Sequence, residues 1–162
     1  MKVLLTTLIH NTPELAENMF NQWSNDPFVK DNNCEIMIVD NGSLPENISK
    51  YTTHQLEENV FFGGGCNVIM DYFLKGDYDY LVLFNSDIVY HGYNFLSKCF
   101  KEIKEHNLDI FTPSVINGKV GQCKWKTVHN WGTGGVRMVK YIDDQSPIFS
   151  RRQVEKMNPF PQ

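Results

Sequence analysis

Short, almost wholly apolar runs recur along the chain with amphipathic segments between them. Val3 to Ile9, Glu35-Ile36-Met37-Ile38-Val39 and Tyr80-Leu81-Val82-Leu83-Phe84 are the clearest runs. Their β-branched and aromatic members suit strands covered on both faces, as in a parallel sheet with helices above and below. Between them, Leu15, Met19 and Trp23 fall at i, i+4 and i+8, and Leu96, Phe100 and Ile103 share a second helical face. Thr12-Pro13-Glu14 carries the cap, proline and acid of a helix start, and Asn25-Asp26-Pro27 stops that helix. Weaker patterns predict a peripheral strand over Tyr51 to Glu57, a short strand over Asp109 to Thr112 and a hairpin at Ile116-Asn117-Gly118-Lys119. Strands over Val136 to Ile142 and Pro147 to Ser150 flank Asp143-Asp144-Gln145-Ser146, and Arg151 to Met157 reads as a closing helix.

Two of the strong runs end in the same way. The second stops at Asp40-Asn41-Gly42-Ser43 and the third at Asn85-Ser86-Asp87. In a parallel sheet, ligands bind in the crevice beyond the carboxyl ends of the strands, so a carboxylate delivered twice to such an end predicts one shared site. Asn85 and Asp87 lie two apart and share a side if the extended geometry persists. Two such oxygen ligands suit a hard divalent cation, magnesium or manganese. Each polar cluster also reads as plain turn chemistry, an Asx-type turn at Asp40-Asn41-Gly42 in particular. Gly63-Gly64-Gly65 precede an apolar helical stretch, which permits close backbone approach and presents helix N-terminal amides to an anion. The segment has no Gly-Lys-Ser/Thr of a P-loop and lacks dinucleotide-fingerprint spacing.

At 162 residues, 41% hydrophobic and 21% charged, the chain has the length and composition of one globular domain. Cys34, Cys66, Cys99 and Cys123 form no C-x-x-C pair, and buried thiols in a reducing, cytoplasmic setting are the expectation. The apolar start is too short and Thr-broken for a signal peptide, and no stretch is long enough to span a membrane. The net charge of −4 divides into +5 over residues 117–162 and −9 over the rest. An acidic body with a basic C-terminal third can hold an anionic ligand between them, while the overall acidity argues against nucleic acid. Trp125, His129 and Trp131 before Gly132-Thr133-Gly134-Gly135 predict a loop with aromatic walls.

These marks, in this order, resemble family 2 glycosyltransferases of the GT-A fold. Leu8 to Leu15 is similar to that family's first strand and turn, Ile38 to Ser43 to its strand-two motif, and Asn59 to Asn67 to its asparagine- and glycine-rich segment. Leu83-Phe84-Asn85-Ser86-Asp87 resembles its D-x-D-like motif, with Asn85 where many members carry the first Asp, and Ser150-Arg151-Arg152-Gln153-Val154 its arginine pair and helix. The resemblance implies a single α/β, Rossmann-like GT-A domain over 1–162. Its mostly parallel central sheet is flanked by helices, with a small C-terminal β-hairpin region. Residues 1–116 then form the nucleotide-sugar-binding part and 117–162 the acceptor side.

The implied activity is a metal-dependent, inverting transfer of a hexose from a UDP-sugar, UDP-glucose first, to an unknown glycan, lipid or protein acceptor, with slow donor hydrolysis in its absence. In that reading Asp40 accepts a hydrogen bond from the base, with Asn41 beside it. Thr7, His10 and Asn11 hold the nucleoside, Gly64, Gly65 and Asn67 line the diphosphate or ribose, and Asn85 and Ser86 complete the donor site. Asp87 ligates manganese or magnesium, with Asn85 and His129 as further candidates. The family's usual C-terminal acidic segment has no counterpart before Asn158-Pro159-Phe160-Pro161-Gln162, so the general base falls to Asp144 or Asp143. A non-catalytic sugar-nucleotide-binding module is the alternative. A nucleotidyltransferase is a more distant one, because no glycine-rich, basic signature follows the first strand.

Overall fold

The computed structural model describes residues 1–90, 92, 94–113, 136, 138 and 145–159. The apolar runs form the middle of a six-stranded sheet. Its strands are β1 (Lys2–Ile9), β2 (Asn33–Asp40), β3 (His54–Gln55), β4 (Tyr80–Leu83), β5 (Ile110–Phe111) and β6 (Ile148–Ser150), in the order β3-β2-β1-β4-β6-β5. The first four run parallel, and β6 is antiparallel to both β4 and β5. Helices α1 (Pro13–Asn25), α2 (Pro27–Asp31), α3 (Phe61–Lys75), α4 (Phe95–His106) and α5 (Arg151–Met157) cover the two faces. The chain steps outward from β1 to β2 and β3, then returns to place β4 on the other side of β1. That reversal puts a topological switch point at the carboxyl ends of β1 and β4.

Strand alternation explains how one continuous apolar run serves two cores. Val3, Leu5, Val82 and Phe84 pack with Met19 and Trp23 of α1, Phe28 of α2 and the Leu96, Cys99, Phe100 and Ile103 face of α4. Leu4, Leu81 and Leu83 turn the other way, onto Cys66, Ile69, Met70 and Phe73 of α3 and Val154 of α5. The α1 face differs by one position from the sequence reading: Ala16 is buried with Met19 and Trp23, while Leu15 is half-buried. Thr12 does stand at the helix start, but its side chain makes no cap bond; its carbonyl accepts from the Leu15 and Ala16 amides at 3.1 and 3.4 Å.

The peripheral strand expected over Tyr51 to Glu57 shrinks to His54–Gln55. A turn closed by Thr52 N–H to the Ser49 carbonyl (3.0 Å) precedes it, and the Thr53 hydroxyl takes the Ile38 amide at 2.9 Å in place of a backbone carbonyl. The hairpin at 116–119 and the body of the Val136 to Ile142 strand lie outside the described residues. Cys34 and Cys99 are free thiols. Burial pushes the Cys34 thiol up to about 11 and the Cys99 thiol up to about 12, which keeps both in the unreactive protonated form. No helix among the described residues is long and apolar enough to cross a membrane.

The two adjacent arginines at the start of α5 do different work. Arg151 lays its guanidinium against the end of α3, donating to the carbonyls of Tyr78 (2.7 Å), Gly76 (2.6 Å) and Phe73 (3.2 Å). It thereby satisfies acceptors that the helix end leaves open. Arg152 is largely exposed and pairs with Asp109. Arg151→Met is expected to destabilise the fold by about 2 kcal/mol, since charge-assisted bonds to half-buried carbonyls are lost. Arg152→Met is expected to leave the urea midpoint almost unchanged; urea titration of both variants checks the contrast.

Candidate functional site

The carboxyl edge of the parallel strands gathers the residues singled out in the sequence. Asp40 closes β2 directly opposite Ile9 of β1, fully buried. Its Oδ1 accepts the Ser43 amide at 2.8 Å, so the turn reading is correct for one oxygen. Its Oδ2 is buried with no partner. A buried carboxylate oxygen without a donor is costly, and its position at the strand end marks it as a waiting hydrogen-bond acceptor. Thr7, two residues before the end of β1, is also fully buried with an unpartnered hydroxyl.

Around Asp40 a polar frame holds the loops in place. Asn41 is 3% exposed. Its amide donates to the Ile9 carbonyl (2.8 Å), its Oδ1 accepts the Val60 amide (3.0 Å), and its Nδ2 donates to Asn59 Oδ1 (3.0 Å) and the Phe61 carbonyl (3.3 Å). The Asn41 carbonyl accepts from His10 Nδ1 at 3.0 Å, and His10 Nε2 faces Asn11 Nδ2 at 3.0 Å. Since a carbonyl only accepts, this pattern is that of the neutral ring with its proton on Nδ1. Asn11 itself adopts the left-handed conformation (φ 54°); its amide donates to Ser43 Oγ at 2.7 Å and its Oδ1 accepts from the Leu44 amide and Asn47 Nδ2. Ser43, Asn47 and Asn59 were not singled out in the sequence. Only their fixed offsets from Asp40 and the glycines hint at them.

The glycine segment departs from its reading. Helix α3 begins at Phe61, so Gly63 to Gly65 lie inside its first turns. The reason is local: Asn41 and Asn59 side chains take the Val60 and Phe61 amides and start the helix early. Those two amides are therefore engaged within the protein. A Cβ on Gly65 would lie 2.5 Å from Leu8 Cδ2, which ties that glycine to α3 packing on β1, and one on Gly64 would lie 2.9 Å from Val60 Cβ. Asn67 follows on the same helix, half-buried.

After β4 the chain turns. Ile88 N–H bonds the Asn85 carbonyl at 3.2 Å, placing Ser86 and Asp87 at the corner of a tight turn. Extended geometry does not persist, so the alternation that would set Asn85 and Asp87 on one side does not apply. Asn85 and Ser86 are half-buried and Asp87 is exposed. Among the described residues no group pairs with the Asp87 carboxylate, and with the Asn85 amide oxygen nearby in sequence this donor set suits a hard divalent cation. The Asn85 amide donates to the Gln145 carbonyl at 2.8 Å, tying the segment that leads into β6 to this turn. His129, Asp143 and Asp144 lie outside the described residues.

Other clusters sit elsewhere. Glu102, Glu105 and His106 gather on the last turns of α4 at the opposite sheet edge, with His106 paired to Glu102 (3.5 Å) and Glu105 to Lys101 (3.6 Å). A shallow cleft of about 580 Å³ at that same edge is lined by Asp79, Tyr80, Asp109 and Arg152 among others. Its charged groups are paired with one another, and Arg152 together with Ser150 holds the Asp109 carboxyl below the usual range.

A mostly parallel α/β sheet with its polar frame at the β1–β2–β4 edge is the architecture of a GT-A nucleotide-sugar fold. The family model for glycosyl transferase family 2 matches residues 8–158, and the chain belongs to that family. Its fold is similar to mannosyltransferase PcManGT from Pyrobaculum calidifontis, solved with GDP-Man and Mn2+ (TM-score 0.73, 13% identity, 99% of this chain and 47% of that one). It is also similar to S. aureus TarS (TM-score 0.69, 16% identity, 98% of this chain and 30% of that one). TarS 1-349 with UDP-GlcNAc matches at TM-score 0.57 and 21% identity over 74% of this chain and 36% of that one. The chain thus spans about half or less of the length of these proteins. No curated protein sequence matches it.

Gly42 makes the Asp40 turn possible. It sits at φ +69°, and a Cβ there would lie 2.3 Å from the Glu58 carbonyl carbon. Gly42→Ala is expected to cost at least about 2 kcal/mol, from left-handed strain and a backbone clash together, read as a drop in urea midpoint at unchanged slope.

Proposed function

We propose that this chain transfers a hexose from a UDP-sugar, UDP-glucose first, to an acceptor hydroxyl with inversion. The observation that carries the reading is the buried, unpartnered Oδ2 of Asp40, on the same sheet edge as Asp87, whose carboxylate has no partner among the described residues. A uracil imide N–H is the kind of donor that oxygen lacks. Membership of the family and the nucleotide sugars held by the PcManGT and TarS structures support a nucleoside diphosphate sugar as donor.

Asp40 and Asn41 meet the base, with Thr7, His10 and Asn11 on the nucleoside. Gly64, Asn67 and Ser86 line the rest of the donor. Asp87 would hold a divalent cation, manganese or magnesium, with Asn85 and His129 as further ligands, and the cation would supply charge neutralisation on the diphosphate leaving group. Asp144, or Asp143, takes the acceptor proton. The acceptor oxygen forms its bond to the anomeric carbon as the bond to the diphosphate breaks, and the electron pair leaves with UDP. Support for the base is the Asn85 to Gln145 bond, which ties the residue after Asp144 to the β4 turn. The free thiols of Cys34 and Cys99 support a cytoplasmic setting.

Calorimetric titration with UDP and UDP-glucose, with and without manganese, tests the reading when followed by assay of released UDP. Metal-dependent binding with release supports the transferase, and binding without release makes the chain a sugar-nucleotide-binding module. Failure to bind either ligand removes the reading. Asp87→Ala is expected to abolish the manganese dependence of binding while shifting stability by no more than about 0.5 kcal/mol, since its side chain is exposed and has no partner among the described residues. Asp40→Asn keeps the size of the group but turns an acceptor into a donor. It is expected to weaken UDP binding about tenfold or more at undiminished affinity for pyrophosphate.

A further inference from the structure

Phe61 is the residue on this edge that stability leaves unexplained. It stands at the first position of α3 with φ +60°, a left-handed conformation that bulky side chains rarely adopt. Its side chain is also 80% exposed, so the ring gains little from burial. Both its backbone groups are held: its amide donates to Asn59 Oδ1 at 2.8 Å and its carbonyl accepts from Asn41 Nδ2 at 3.3 Å. Asn41 follows Asp40 directly, and Asn41 Oδ1 also takes the amide of Val60, the residue before Phe61. The frame that positions the unpartnered carboxylate therefore also fixes Phe61 in its strained conformation. Strain held by its surroundings at a site edge points from the outlier to a function.

We propose that the Phe61 ring is a stacking platform for the nucleobase of the donor, and so a binding residue of the site. This rests on the nucleotide-sugar reading given above. Asp40 Oδ2 offers an in-plane hydrogen bond to the edge of a base, which leaves the base faces to be covered. An exposed aromatic ring anchored through the neighbouring Asn41 supplies such a face. Stacking is tolerant of base identity because every base presents a π-face. The arrangement therefore predicts that Phe61 contributes affinity to UDP and GDP alike.

The test compares wild type, Phe61→Gly and Phe61→Tyr by calorimetric titration with UDP, GDP and pyrophosphate, alongside thermal unfolding. Glycine adopts φ +60° without strain, so Phe61→Gly is expected to fold with a Tm no lower than that of wild type. Its affinity for UDP is expected to fall about tenfold with pyrophosphate binding unchanged, and Phe61→Tyr is expected to restore the loss. Wild-type UDP binding that persists undiminished in Phe61→Gly overturns this inference and leaves the donor reading standing. An equal loss for UDP and pyrophosphate overturns it too, because the residue then shapes the loop and does not meet the base. Absence of wild-type affinity for either nucleotide overturns the donor reading itself and this inference with it.

Discussion

The carboxyl edge of the sheet depends on a single buried amide, the side chain of Asn41. With its backbone it joins five partners: Ile9 at the end of β1, His10 in the loop that follows, and Asn59, Val60 and Phe61 at the entry to α3. Two strand ends and one helix start are thus fixed to each other by part-buried hydrogen bonds. A buried network is worth most when every member is satisfied, and Asn41 has donors and acceptors for all of them. Beside it, the Oδ2 of Asp40 and the hydroxyl of Thr7 are left buried without a partner. Unsatisfied groups beside a satisfied frame make a rigid cup with open bonds.

That frame explains why the site is built on loops yet needs little motion to form. The turn at Gly42 brings Ser43 back to Asp40 and sets Asn11 over it. On the far side of β1, the β4 turn is closed by Asn85 and Ile88 and tied to the strand that enters from Gln145. The antiparallel β6 therefore does more than extend the sheet. It brings Gln145 to the end of β4, where the Gln145 carbonyl accepts the Asn85 amide.

Much of the fold was legible because it rests on local rules. Short continuous apolar runs with β-branched and aromatic members, Val3 to Ile9 and Tyr80 to Phe84, assigned the strands, and their all-apolar character announced cover on both faces. Ser150 capping Gln153 and the register of Arg151 to Met157 set α5 where the pattern placed it. The misses share one cause, a side chain from elsewhere deciding a local outcome. The Thr53 hydroxyl and the turn at Ser49 cut β3 short, and Asn41 and Asn59 pulled the start of α3 back to Phe61. The distant members of these pairs, Ile38 and Asn41, are not visible in a window of neighbouring residues.

The sequence by itself determined that two carboxylates, Asp40 and Asp87, would arrive at the ends of buried parallel strands. Hydrophobic periodicity and the polar residues that end each run are properties of the chain alone. Only the tertiary structure decided what each group there is free to do. Folding turned one oxygen of Asp40 into a turn cap and left the other buried and unmet. It bent the chain at Asn85 so that Asp87 stands exposed, and it assigned Gly65 to packing against Leu8. It also held Phe61 in a conformation its own preferences oppose. Those outcomes depend on which distant partners are brought within hydrogen-bond or van der Waals distance, and spacing along a chain does not carry that information.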